Sequence, residues 1–267
     1  MKAYVINLPR SHDRRRHIEE QLARLELEYE IVAATDGSAL TPEERERLLD
    51  MDAVTRAPDW LRPGIVGACL SHLAAYRAIA ADGAPHALVV EDDAILPPDL
   101  VALLAEIAPE LRGREAVLLD VKSLRATELS GLDGIDLPGG RRLLYPMDVA
   151  PLTAATAYVI TREACLSMSE FVIPVRAGPD SWGFFVEHGG LDRVRCVHPR
   201  PCRPRTDFKS TVDYLGASAA PLQRIMSFVS EHRIFPLFQL AAWRRARSDR
   251  RMTRLTVVSR RSPFSDG

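Results

Sequence analysis

Residues 86–96, HALVVEDDAIL, constrain what this chain can fold into more than any other stretch. The apolar run Ala87-Leu88-Val89-Val90 stops abruptly at Glu91, Asp92 and Asp93, resumes as Ala94-Ile95-Leu96 and closes at Pro97-Pro98. A short, uninterrupted apolar run bounded by turn formers reads as a strand buried on both faces, the kind found inside α/β sheets. Acids at the C-terminal end of such a strand stand where open α/β sheets place their ligands. Three adjacent carboxylates repel one another and call for a cation. Oxygen-only ligands suit Mg²⁺ or Mn²⁺, which would bridge to a phosphate-bearing substrate. The plainer alternative is a strand running into a solvated acidic loop.

The rest of the composition narrows the class. The chain has 267 residues, enough for one large domain or two small ones, and is 46% hydrophobic and 27% charged, as soluble globular proteins are. A net charge of −1 gives no global field for nucleic acid, and no nucleic-acid motif is present. Cys69, Cys165, Cys196 and Cys202 are dispersed without zinc spacing and read as thiols of a reducing compartment. The apolar run in MKAYVINLPR is too short for a signal peptide, and no stretch reads as a membrane span. The expectation is a cytoplasmic protein, with contact at the inner membrane face left open.

Along the chain, strand and helix signals alternate. Residues 3–8 (AYVINL) predict a buried strand, and Ser11 stands where it could cap a helix over about 12–27. Arg10, Arg14, Arg15 and Arg16 crowd the start of that helix, the end where its dipole favours anions. They form either a solvated basic face or, for Arg10 and Arg14, a hand reaching to an anionic ligand. Residues 29–34 predict a second strand closed by the turn Thr35-Asp36-Gly37. Thr41-Pro42-Glu43-Glu44 is a capping box with proline at the first helical position. Residues 53–63 read as loop, with Trp60 exposed or gating.

Gly64 and Gly67 precede a helix predicted from about Cys69 to Gly83. The pair suits a phosphate cradle or close helix–strand packing, and packing is preferred. Further strands are predicted over 115–120, 154–161 and 191–197, the last alternating like a half-buried or edge strand. Helices are predicted over about 99–108 and 162–171, a long surface excursion over 122–140, and a Pro/Gly-rich loop carrying Asp180 and Trp182 over 172–182.

Two domains are expected: residues 1–210, and a helical, arginine-rich extension over 211–267 with a helix near 222–232. Eight arginines against Asp249 fill residues 244–261. They make either a solvated tail or, with the apolar residues 235–243, a contact for an anionic membrane, each basic residue contributing on the order of 1 kcal/mol.

The ordered set AYVINLPRSHDRR, AATDG, GIVGACLSH, LVVEDDAIL, TAATAYVITREA and Pro179-Asp180 resembles glycosyltransferase family 25 over roughly residues 3–205. That family includes lipooligosaccharide and collagen galactosyltransferases. The family often has Glu after the first glycine of its GxxG segment and Cys directly after the second. Here those positions hold Ile65 and Ala68, with Cys69 one place later, while Ser71-His72 is kept.

The resemblance implies a GT-A-like, Rossmann-type nucleotide-sugar-binding fold with a mixed sheet. It implies inverting transfer of a sugar, typically galactose, from a UDP-sugar to a glycan acceptor such as a lipopolysaccharide. Asp92 and Asp93 would hold Mn²⁺ or Mg²⁺, with Glu91 or Asp92 at the metal or the ribose. Asn7, Arg10, Arg14 and Asp36 follow the first strands, where the donor nucleotide is expected. Asp180, between Gly178 and Gly183 and beside a Trp182 that could stack on a sugar, is the candidate base, with Asp120 and Glu187 in reserve. His72 reads as a locally satisfied helix residue. The alternatives are a UDP-sugar-binding protein without transfer activity, and a nucleotidyltransferase, for which the glycine-rich, lysine-containing N-terminal loop is missing.

Overall fold

The apolar runs are realised as two-sided burial. The computed structural model describes residues 1–56, 61–205, 247, 252 and 254–265. β1 (Ala3–Asn7) is buried at every position. α1 (His12–Arg24) starts after Ser11, whose side chain makes no capping bond, and leads to β2 (Tyr29–Ala33). α2 (Pro42–Leu48) opens with the expected reciprocal cap: the Glu44 amide donates to Thr41 Oγ1 at 3.2 Å and the Thr41 amide donates to Glu44 Oε2 at 2.9 Å. The short α3 (Met51–Arg56) follows.

α4 (Pro63–Asp82) begins at Pro63 rather than near Cys69, so both early glycines lie inside the helix, and it ends at Gly83 with φ 79°. Proline is tolerated at a first helical position because that N–H has no intrahelical partner. By length and composition α4 could cross a bilayer, but half of its apolar window is buried in the core.

β3 (His86–Glu91) and β4 (Ala94–Ile95) flank a turn at Asp92-Asp93. α5 (Leu100–Ile107) and β5 (Glu115–Leu118) follow. The expected surface excursion instead holds β6 (Lys122–Ser123), β7 (Thr127–Ser130) and β8 (Ile135–Leu137), with Leu129 and Ser130 fully buried. Then come β9 (Arg141–Leu144), β10 (Leu152–Thr153), β11 (Ala157–Thr161), α6 (Arg162–Phe171), α7 (Trp182–Glu187), β12 (Arg193–His198), β13 (Arg203–Pro204) and β14 (Leu255–Val258).

The large sheet runs β2-β1-β3-β11-β5-β12-β9-β8 and is mixed. β2, β1 and β3 are parallel, β11 is antiparallel to both neighbours, and β12 is parallel to β5. Alternate residues of each strand serve opposite faces. Tyr4, Ile6, Val89, Tyr158 and Ile160 pack with residues of α4 and α6, whereas Val5, Leu88, Val90 and Val159 pack with Ile18 and Leu22 of α1 and the leucines of α5. Each such side chain contributes about 1.5–3 kcal/mol on full burial.

β12 is not an edge strand: it lies between β5 and β9. Its polar alternation comes from Arg195, which is buried and reaches Glu115 at 2.5 Å. The charge is tolerated because a fully buried carboxylate meets it.

Within the segment expected to be helical and basic, residues 255–258 form a strand instead. β14 runs parallel to β7, and Ser130 Oγ donates to the Arg260 carbonyl at 2.7 Å. The helix expected near 222–232, the apolar segment 235–243, four of the eight tail arginines (Arg244, Arg245, Arg250 and Arg251), and Trp60 lie outside the described residues.

Candidate active site

β1, β2 and β3 run parallel and end side by side, Ile6 opposite Glu91 and Asn7 opposite Ala33. Their C-terminal ends open into a cleft of about 620 Å³. One wall is built from the turn after β2 and the first turn of α4. Gly37 and Gly67 let the two backbones touch: a Cβ on Gly67 would lie 2.6 Å from both Gly37 N and Thr35 O. Ser71 closes the contact, accepting from the Thr35 amide at 2.8 Å and donating to the Gly67 carbonyl at 2.6 Å. Gly67 therefore serves packing, the reading preferred for the pair, while Gly64, Ile65 and Ala68 line the cleft.

Asp36 is fixed on this wall, accepting from the Ser38 amide and hydroxyl and from Arg10 Nη1 at 2.5 Å. The Ser38 hydroxyl and amide, then Arg10, hold its carboxyl below the usual range.

The acids after β3 point into the same cleft but are already bound. Arg14 Nε lies 2.8 Å from Asp92 Oδ1, a charge contact not directed as a hydrogen bond, and Arg14 Nη2 lies 2.5 Å from Asp93 Oδ2. Asn7 is buried and does not line the cleft; its amide donates to Asp92 Oδ2 at 2.7 Å. Asn7 therefore positions an acid. Burial, followed by the charge of Glu91, raises Asp93 to about 7, and burial raises Asp92 despite Arg14.

Three of the four Asp92 and Asp93 oxygens are thus engaged by Arg14 or Asn7, and the fourth, Asp93 Oδ1, is buried without a hydrogen-bond partner among the described residues. Among the described residues no group of three or more His, Cys, Asp or Glu side chains is placed to hold a metal. The expected Mn²⁺ or Mg²⁺ ligands, as arranged, do not fit a resident ion, because a guanidinium stands where its charge would be.

His72 faces Glu91. Its Nδ1 lies 2.7 Å from the Tyr158 hydroxyl, which donates to Tyr76 Oη at 3.1 Å. Its buried Nε2 has no hydrogen-bond partner among the described residues and lies 3.5 Å from Glu91 Oε1. His72 is therefore satisfied locally at one nitrogen only, and the kept Ser71-His72 pair was the one signal for it in the sequence.

Asp180 lines the opposite wall with Thr153, Ala154, Ala155 and Thr156. Its Oδ2 accepts from Thr153 Oγ1 and, at 3.1 Å, from the Ala154 amide. Trp182 is not available to stack on a sugar. It is fully buried, edge-on to Tyr158 and Phe185, and its Nε1 donates to the Ala154 carbonyl at 2.9 Å. Asp120 is buried against Arg200 at 2.8 Å, and neither it nor Glu187 lines the cleft. Arg62 and Lys122 do line it and were not singled out in the sequence. Their neighbours in sequence carry no motif that would mark them.

The strand-end acids, the basic groups and the cleft stand together at the switch of an α/β sheet, the place where such sheets take their ligands. Residues 1–130 match the family model described as glycosyltransferase family 25 (LPS biosynthesis protein).

A protein of Acanthamoeba polyphaga mimivirus, provisionally named a glycosyltransferase, is 31% identical over 121 residues. The alignment covers 45% of this chain and 36% of that protein, so the chain spans little more than a third of the relative it matches. Among solved structures, mannose-1-phosphate geranyltransferase from Thermus thermophilus is 12% identical, covering 76% of this chain and 75% of that one with a TM-score of 0.34. A mycobacterial protein is 18% identical, covering 86% and 73% with a TM-score of 0.39. Scores this low carry no functional information.

Proposed function

We propose that this chain is a glycosyltransferase of GT-A-like fold that moves a sugar, galactose by the family's habit, from a UDP-sugar to a glycan acceptor. The observation that carries the reading is the cleft itself: Glu91, Asp92 and Asp93 line it together with Arg10, Arg14, Arg62 and Lys122 at the ends of three parallel strands. All of these residues lie within the segment that matches the family. The family's description as an LPS biosynthesis protein favours a lipopolysaccharide or other surface glycan as acceptor.

The chemistry follows from the residues present. Arg10, Arg14, Arg62 and Lys122 receive the donor diphosphate, an arginine fork matching phosphate oxygens two at a time. The acceptor hydroxyl oxygen attacks the anomeric carbon as its proton passes to Asp180. The bond from that carbon to the diphosphate oxygen breaks, and the electron pair leaves with UDP, whose growing charge the cations meet. Attack opposite the leaving group inverts the anomeric centre.

The test is release of UDP from UDP-galactose with lipooligosaccharide acceptors. Turnover that falls at least a hundredfold in Asp180→Asn supports the reading, and unchanged turnover removes Asp180 from the reaction. A second reading, a UDP-sugar-binding protein without transfer, is favoured by Ile65 and Ala68, which line the cleft where family members often carry Glu and Cys. Calorimetric binding of UDP with no turnover on any acceptor would select it.

A further inference from the structure

The wall that carries Asp180 is built around a backbone conformation that its sequence does not favour. Ala154 has φ 82°, the left-handed region that costs a residue with a Cβ roughly 1–2 kcal/mol. Such strain persists where the surroundings over-determine it, and it clusters at functional sites.

Three contacts hold it here. The Trp182 indole donates to the Ala154 carbonyl at 2.9 Å, the Ala154 amide donates to Asp180 Oδ2 at 3.1 Å, and Thr153 Oγ1 donates to the same oxygen. Gly183 permits this closeness: a Cβ there would lie 2.5 Å from Ala150 Cα, so the start of α7 is pressed onto the chain leading into β10. On the other side β10 pairs with β6, Thr153 opposite Lys122. Both donors converge on Oδ2, and among the described residues no hydrogen bond to Asp180 Oδ1 is present.

We infer that Thr153 and the strained Ala154 amide are positioning groups that pin Oδ2 of Asp180, leaving Oδ1 as the oxygen that takes the acceptor proton. The inference rests on the reading of Asp180 as the base. Pinning one oxygen fixes the carboxylate plane. A rotating carboxylate would present a correctly aimed lone pair only part of the time, and misplacement of a reacting group by about 1 Å can cost on the order of a hundredfold in rate. Trp182 acts one step further back, by holding the carbonyl of the same peptide segment.

The test uses the full chain with UDP-galactose, UDP-glucose and UDP-N-acetylglucosamine, taking whichever the wild type turns over fastest. Turnover to water or glycan is read together with the melting temperature. Thr153→Val, close to isosteric but without the hydroxyl, is expected to lower kcat at least tenfold with the donor KM within about twofold. Thr153→Ser, which restores the donor, should return kcat to within about threefold of wild type.

Equal loss in Thr153→Ser and Thr153→Val, or a loss confined to KM, would overturn the positioning role. Should Thr153→Val melt far below wild type, the serine variant decides: a stable serine variant that stays slow refutes the inference. Asp180→Asn separates the two levels of the argument. If it remains active, the base assignment fails and this inference with it. If it is inactive while Thr153→Val is unimpaired, the base stands and only the positioning role falls. A wild type that turns over none of the three donors sinks the function and the inference together.

Discussion

Gly67→Ala tests whether the cleft wall is held by backbone contact. Gly67 lies in the helical interior of α4, where alanine is favoured over glycine by about 1 kcal/mol on propensity alone. Against that gain, the new Cβ would lie 2.6 Å from Gly37 N and from Thr35 O, well inside ordinary contact. Both opposing atoms are backbone, so no side chain can swing aside, and the turn must move away from the helix. Overpacking of this kind costs about 1–3 kcal/mol.

Displacement also stretches the Ser71 bridge, which spans 2.8 Å to the Thr35 amide and 2.6 Å to the Gly67 carbonyl. Losing one such bond costs about 1 kcal/mol more. The net expectation is a loss of about 1–3 kcal/mol. For a chain of this size that is a fall in Tm of about 2–12 °C. Calorimetry on both proteins reads it, and a UDP titration should show weaker binding because Asp36, which holds Arg10, rides on the displaced turn. A Gly67→Ala protein that melts at or above wild type would show that propensity outweighs the contact, and that the wall is not held in this way.

Three further outcomes follow from the site. Arg14→Gln removes the partner of two largely buried acids and should destabilise by about 3–5 kcal/mol. Millimolar Mn²⁺ should recover part of this while barely shifting wild type, and an equal Mn²⁺ shift in both would show that the ion displaces Arg14. Burial and the neighbouring Glu91 hold Asp93 at about 7, above the usual carboxylate value of 3.8, so the fold favours its protonated form. Its contribution to stability is complete below about pH 4 and is lost as pH rises to about 7. Wild type should therefore lose stability relative to Asp93→Asn over that window in chemical denaturation, and a constant difference from about pH 4 to 8 would contradict the burial argument. Ala154→Gly removes the penalty of a Cβ at φ 82° and should raise Tm by a few degrees. A lower Tm would show that the conformation is not strained.

Much of this protein was legible without coordinates because the signals are local. An apolar run between turn formers, a Thr-Pro-Glu-Glu helix start and a glycine at a helix end act over a few residues, and β3, α2 and the end of α4 follow them. The acids after β3 announced the cleft for the same reason: the end of a buried strand is a fixed place in an α/β sheet. Tertiary structure decided what those acids touch. Arg14 and Asp92 are 78 residues apart, and nothing near either one shows that they meet. The fate of Trp182 depended on a core made by α6, α7 and β11, so a residue suited to stacking on a sugar became packing. Arg195 looked like the solvent side of a half-buried or edge strand until Glu115, 80 residues away in sequence, supplied its counter-charge. The Thr153–Asp180 contact likewise exists because Gly183 lets two distant backbones close on each other. Chain-local geometry writes elements and their ends into the sequence, whereas pairing between remote side chains is set by strand order, which no short window contains.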